Sequence, residues 1–411
     1  MSPYRWLAVF PLAATLAGPA CAGPLTFAAA LDRAQSSAPG LQANALRVEA
    51  ARAASRAAGR LPDPKLSVGI QDYPVSGPTA GSFTRDNFTM TRLRIMQDVP
   101  SAARRRAEVA GATAEIGVVE AMSAEARRTV RVATALAWID LAYAEKRLAM
   151  LDDLVTGLKD LWSAQPAAVA SGSARPASGL EPTRLKALFE DRRSELVAAV
   201  AKAHAELTRW TDEPAPTTAG DAPRFDVDPS ALRAALDRHP ALLAAEANQR
   251  RAETGIASAR AATRPDWGFD VSYGRRDPRF GDLVSAGVTV SLPLFQGSRQ
   301  DPVIAARLAD RNRAQIERED RRRALVAALE TDLADHVMHH DQWQRAVKIL
   351  VPTAEQRAHL EVSSYGAGRA GFDDVRMALT DLADTRLGVL EREAATARDG
   401  ARILLTYGAD Q

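Results

Sequence analysis

The sequence predicts a mainly helical chain that carries a pair of β-hairpins and is built by duplicating one unit: a helix, a hairpin and a long helical hairpin. Three observations predict this. The same landmarks recur about 200 residues apart along the 411-residue chain. In each copy, two stretches of about nine or ten residues alternate between apolar and polar side chains, the period of a strand. Between and beyond them run very long segments rich in Ala, Leu, Arg and Glu, with apolar residues at steps of three and four. Aromatic residues make up only 5% of the chain, which suits long helices better than a thick globular core.

The N-terminus reads as a secretory signal. Arg5 supplies the positive start, Leu7 to Leu16 is apolar, and Ala20-Cys21-Ala22 fits a small-x-small cleavage site before Gly23. The apolar run is too short to span a membrane as a helix. Cys21 follows Gly18-Pro19-Ala20, without the leucine three places earlier that favours lipid modification. Cys21 is the one cysteine of the sequence, so cleavage after Ala22 leaves no disulfide and no thiolate metal site. A formal charge of +2 gives no reason to expect nucleic acid as a partner. No later stretch reaches about 18 uninterrupted apolar residues. An exported chain without such a stretch can still enter an outer membrane as a closed β-barrel.

The repeat is explicit. Ala30-Leu31-Asp32-Arg33 with Pro39 and Leu41 returns as Ala235-Leu236-Asp237-Arg238 with Pro240 and Leu242. The helices that follow end at Leu61-Pro62-Asp63 and at Arg264-Pro265-Asp266, because proline lacks an N–H and pushes its predecessor out of helical geometry. The strands then alternate. Leu66, Val68 and Ile70 take one face of the first, with Thr89, Thr91, Leu93 and Ile95 in the next. In the second copy Phe269, Val271 and Tyr273 are followed by Val284, Ala286, Val288, Val290 and Leu292. Strands of this length suit a tilted membrane strand. Each hairpin taken alone favours an ordinary soluble sheet with one buried face. Asp72–Asp86 and Gly274–Asp282, rich in Gly, Pro, Asp and Arg, read as solvent loops.

The helical segments point away from a compact soluble domain. From Ser101 to Trp162, Val119, Met122, Ala126, Val130, Ala133, Ala137, Leu141, Ala144, Leu148, Leu151, Val155, Leu158 and Trp162 form one apolar seam. Sixty residues of helix reach roughly 90 Å. In the second copy, from about Val303 to Ser363, the expected seam is Val326, Leu329, Leu333, Val337, His340, Trp343, Val347 and Leu350, with a bend at Pro352. Both rods turn and return. The first turn, Ser171–Pro182, contains Gly172 and Gly179; the second, Tyr365–Val375, contains Gly366, Gly368 and Gly371 before Phe372 and Asp373. Asp373 or Asp374 is placed to cap the returning helix. The chain thus divides into a signal segment, 1–22; a first repeat, 23–210, with its hairpin at 63–98 and helical hairpin at 101–210; a linker, 211–229; and a second repeat, 230–411, with its hairpin at 266–293 and helical hairpin at 302–408.

The order and duplication of these landmarks resemble the TolC-like outer-membrane factor family from about Leu25 to Gly408. The residues carrying the resemblance are the two Leu-Asp-Arg … Pro-x-Leu starts, Leu61-Pro62-Asp63-Pro64, Gln97-Asp98-Val99-Pro100, Ser291-Leu292-Pro293-Leu294-Phe295, and Tyr365-x-x-Gly368 before Phe372-Asp373. The resemblance implies a homotrimer in outer-membrane lipid. Its twelve-stranded β-barrel takes four strands from each chain and continues as an α-helical periplasmic tunnel. It further implies a passive exit duct for an inner-membrane pump of the resistance-nodulation-division type, reached through a periplasmic adaptor, a membrane fusion protein. Gly172, Gly179, Gly366, Gly368, Gly371, Phe372 and Asp373 would then face the adaptor, and Leu66, Val68, Ile70, Leu93, Ile95, Phe269, Val271, Val288 and Val290 would lie in membrane strands. Physical reasoning also favours three copies: four strands cannot close a barrel, and open edges in lipid are prohibitive, whereas twelve strands fall in the known range. The short linker and Gly59-Arg60-Leu61-Pro62-Asp63-Pro64 look most like the heavy-metal efflux branch. The Pro-containing first turn departs from the family.

Few residues suggest chemistry. His336, His339 and His340 have helical metal-ligand spacing beside Asp335, yet no second cluster accompanies them. Met90 and Met96 lie about 20 Å apart along one strand, too far to share a metal. Arg104-Arg105-Arg106 reads as a solvated, headgroup-facing turn. No phosphate loop or H-E-x-x-H occurs, so neither enzyme nor cofactor is expected. The competing reading is a periplasmic coiled-coil scaffold or adaptor without a membrane barrel.

Overall fold

The computed structural model describes residues 24–158, 170 and 179–408. The signal segment with Cys21, together with Trp162, Pro166, Gly172 and most of the first turn, lies outside the described residues. Along the chain the elements are α1 (Phe27–Ser37), α2 (Pro39–Ser55), β1 (Lys65–Gln71), β2 (Met90–Val99), α3 (Ala102–Gly157), α4 (Glu181–Thr211), α5 (Pro229–Ala235), α6 (Pro240–Ala261), β3 (Asp266–Arg275), β4 (Leu283–Ser291), α7 (Gln296–Arg345), α8 (Val351–Gly366) and α9 (Phe372–Tyr407). Prolines occupy the first turns of α2, α4, α5, α6 and α8, where a missing N–H breaks no ladder.

The chain forms two compact units, and each takes segments from both sequence repeats. One unit contains residues Ala38–Val132, Phe225–Asp341 and those from Asp399 onward. It holds a four-stranded antiparallel sheet in the order β1-β2-β3-β4. Its helical core joins Leu232, Leu236 and Leu242 to Leu325, Leu329 and Leu333 of α7 and to Ile403 and Tyr407 of α9. Asp228 caps α5, accepting from the Ser230 and Ala231 N–H groups. The Ser230 hydroxyl and these amides hold its carboxyl below the usual range. His239 caps α6 in the same way through Nδ1, 3.1 Å from the Ala241 amide. The corresponding position of the first repeat, Ala38, has no side chain able to cap α2.

The other unit contains the described residues up to Ser37, with Ala133–Arg224 and Gln342–Arg398. Its core gathers Leu151 of α3, Leu185, Phe189 and Leu196 of α4, Ala354 and Ala358 of α8, and Val375, Leu379, Leu382 and Leu387 of α9. Interleaved alanines let these helices approach closely. Leu25 is stitched to the linker through Thr217 and Ala219, and its carbonyl accepts from the fully buried Trp138 indole at 2.8 Å.

Three expectations need correction. The second long helix starts at Gln296, not at 302. The Phe295 carbonyl accepts from the Ser298 and Arg299 amides and starts the helix upstream of Pro302, which then costs one ladder bond. The expected α7 seam is covered only in part: its Leu329 and Leu333 are buried, and Leu325, outside it, joins them. Val326, Val337, Val347, Leu350 and His340 are exposed. In α3 Met122 is likewise exposed, and Val118 takes the buried place. At Pro352 the helix passes through a π-helical turn, Ala346–Leu350, before α8 begins. The wider turn accommodates the missing proline N–H.

Candidate membrane sheet and helical turn

The register sorts the sheet into two faces. Leu66 pairs with Ile95, and Val68 with Leu93. Ile95 pairs with Val271, Leu93 with Tyr273, and Val99 with Trp267. Trp267 pairs with Val290, Phe269 with Val288, Val271 with Ala286, and Tyr273 with Val284. One face is therefore apolar across all four strands. It is also bare: Leu66 is 65% exposed, Val68 68%, Val271 57% and Val284 74%. The opposite face is polar, and along β3 it is covered, with Asp270 at 8% and Ser272 at 3%, while Ser67 of β1 and Ser285 of β4 are exposed. This polarity is the reverse of a soluble half-buried sheet, which hides its apolar side from water. It is what an apolar solvent on one side and an aqueous interior on the other require.

The polar face is held by an ordered network. Arg94 grips Asp270 at two points, Nε to Oδ2 at 3.1 Å and Nη2 to Oδ1 at 2.9 Å. Arg92 donates to Gln71 Oε1 at 2.7 Å and to Ser272 Oγ at 2.8 Å. Lys65 pairs with Asp98 at 2.7 Å. Small residues opposite make room for these side chains to lie across the strands. A methyl group added at Gly287 would stand 2.8 Å from Asp270 Oδ1, and one at Gly274 would stand 2.6 Å from Met90 Sδ. Where β2 gives way to α3, Asp266 receives the Ser101 amide at 2.7 Å and Arg104 at 2.9 Å. At the hairpin loops, Arg276 donates to the Asn87 carbonyl at 3.1 Å and Arg279 to that of Thr84 at 2.6 Å, tying one loop to the other.

The second helical turn is equally well specified. The Arg369 amide bonds to the Ser364 carbonyl and the Gly368 amide to that of Tyr365, the paired bonds of a Schellman ending. Gly368 takes φ +70°, which requires glycine, and the space around it is open. Gly366 and Gly371 have no positive φ. Asp374 reaches back to the Gly371 amide at 3.0 Å and so caps α9. Asp373 instead pairs with Arg376 at 2.6 Å, and Arg376 also meets Glu181 at 3.3 Å. Tyr365 and Phe372 meet edge to face. Of the first turn, Gly179 and Leu180 form a short tight helical turn leading into α4, and Pro182 is a residue of that helix rather than of the loop.

The histidines do not converge. His339 Nδ1 lies 2.6 Å from Asp399 Oδ2, and Asp399 is also held by Arg402 at 2.9 Å. His336 and His340 lie side by side, ring centres 6.4 Å apart, and burial holds His336 below the usual histidine range. No group of three or more His, Cys, Asp or Glu side chains arranged to hold a metal occurs among the described residues. Sequence reading missed the Arg92, Arg94 and Asp270 network and the Arg376–Glu181 contact. Both join residues far apart in sequence; the signal available was a pair of arginines on the polar side of an alternating strand.

A sheet with a bare apolar face, carried by a chain that is otherwise long helices, defines a membrane protein of mixed β-barrel and α-helical type. Among the described residues no helix is long and apolar enough to cross a membrane, so the strands are the candidates for insertion. The model of the outer membrane efflux protein family matches residues 231–409. The cobalt-zinc-cadmium resistance protein CzcC of Cupriavidus metallidurans is 25% identical over 392 residues, covering 92% of this chain and 90% of that protein. A solved membrane protein from Pseudomonas aeruginosa has the same fold, with a TM-score of 0.81 at 17% identity, covering 93% of this chain and 90% of that one. The Campylobacter jejuni CmeC outer membrane channel follows at 0.79 and 12% identity, over 93% and 85% of the two chains. The C-terminal part of the chain thus matches the outer membrane efflux protein family, and over nearly its whole length the chain has the fold of solved outer-membrane channels.

Proposed function

We propose that three copies of this chain close a twelve-stranded barrel through which cargo leaves passively, delivered by an inner-membrane pump through a periplasmic adaptor. The observation that carries this reading is the inverted polarity of the four-stranded sheet. Its outer strands β1 and β4 have no further partner in the described chain. In lipid those edges need a neighbour. The apolar face, with Leu66, Val68, Ile70, Leu93, Ile95, Phe269, Val271, Val288 and Val290, contacts lipid. The turn at Gly366, Gly368, Gly371, Phe372 and Asp373, with Gly179 and Gly172 of the first turn, meets the adaptor. Heavy-metal cations are the cargo class, a reading supported by the name of the Cupriavidus relative. A periplasmic scaffold without a barrel leaves the bare apolar face unexplained.

The experiment is purification from the outer-membrane fraction followed by light scattering. The expected result is a trimer in detergent that dissociates on heating; a stable monodisperse monomer overturns the reading. Cells deleted for the gene should lose tolerance to cobalt, zinc or cadmium, and unchanged tolerance to all three removes the metal assignment while leaving the channel.

A further inference from the structure

The polar face of the sheet carries three cations and three carboxylates, but they are not matched one to one. Its cations are Lys65, Arg92 and Arg94, and the carboxylates paired among them are Asp98 and Asp270. Asp98 answers Lys65 and Asp270 answers Arg94, each at hydrogen-bonding distance. Asp266, farther along the same face of β3, is taken by Arg104 of α3. The hydrogen-bond acceptors of Arg92 are neutral, the Gln71 amide oxygen and the Ser272 hydroxyl, and Asp270, hydrogen-bonded to Arg94, acts on it only through space.

We infer that Arg92 sets the ion preference of the barrel lumen and makes it favour anions. This rests on the reading that the polar face lines a closed barrel. In that barrel each chain contributes, at the same height, one guanidinium with no carboxylate hydrogen-bonded to it, so these groups form a ring. Apolar walls on the lipid side focus the field of such a ring into the aqueous passage. A cation cargo crossing this segment travels with counter-ions or as an anionic complex.

The test is reversal potential across a KCl gradient in planar bilayers containing the purified full-length protein. Wild type should show chloride permeability above potassium permeability. R92Q, which keeps the contacts to neutral neighbours, should lower that ratio severalfold, and R92E should invert it. D270N, which leaves Arg94 unanswered, should raise it. Heat-sensitive oligomer on a gel confirms that each variant is assembled. Conducting wild-type channels with a ratio that R92Q and R92E leave unchanged, or a wild type already selective for potassium, overturn the role of Arg92 while the barrel stands. Assembled protein that never conducts overturns the barrel reading and the inference together.

Discussion

Arg376 of α9 and Glu181 of α4 lie 3.3 Å apart, although 195 positions separate them in the sequence (376 less 181). The contact joins the first turn of each returning helix. Both side chains are largely shielded, at 17% and 26% exposure, and Asp373 shares the same guanidinium. Such a pair stands between an exposed ion pair and a buried one, so Arg376→Gln should loosen this end by about 1–2 kcal/mol. Hydrogen exchange of the amides around Glu181 and Asp373 should accelerate together. If only one of the two helix starts responds, the contact does not couple them.

Gly368→Trp should reduce efflux and adaptor cross-linking while membrane-inserted oligomer persists. The open space at Gly368 admits the indole, but its φ of +70° charges any side chain about 1–2 kcal/mol. Gly368→Ala separates the two effects, since it carries the backbone strain without the bulk. Alanine and tryptophan giving equal losses of efflux would place the cause in the strained turn and not in docking. A bulky change at Ala80, in the loop between β1 and β2, should be tolerated.

Ala286 and Ser285 are neighbours on β4 that point to opposite faces. Ala286→Arg puts a guanidinium on the bare apolar face and should cost about 2–4 kcal/mol of insertion stability near mid-membrane. Ser285→Arg puts the same group on the polar face and should insert normally. The readout is the yield of heat-sensitive oligomer in the outer-membrane fraction. Equal yields from the two variants would mean that the apolar face does not meet lipid.

His336 gives a pH prediction with a definite sign. Burial is the main cause of its lowered basicity, joined by neighbouring His339 and His340, while Asp399 acts the other way. Its Nδ1 is buried without a hydrogen-bond partner. A histidine harder to protonate when folded means that the unfolded chain takes up more protons. Stability is therefore retained above the unfolded value of about 6.5 and falls as pH drops below it, until the folded group also protonates. Melting in detergent from pH 7.5 to 5 should show this decline, and His336→Gln should flatten it. A parallel decline in the variant would assign the effect to other groups.

The sequence by itself determined the duplication, the strand alternation, the long helices and the glycine turn. Each follows from local rules: prolines at Pro62 and Pro265 end helices, period two sets Leu66, Val68 and Ile70 on one face, and Gly368 permits the Schellman ending. Only the tertiary structure decided which face is covered. Alternation says that two faces differ, but both a soluble sheet and a membrane sheet alternate; the distinction is whether Asp270 or Val271 is hidden, and that depends on register across four strands. The same limit explains α7, where the apolar pattern admitted Val326 and Val337 beside Leu329 and Leu333, and packing against Ile403 and Tyr407 covered these leucines together with Leu325 and left the valines exposed. It explains the charges as well. Arg92 and Arg94 are indistinguishable in sequence, and only strand pairing gives one of them a carboxylate and the other an amide and a hydroxyl.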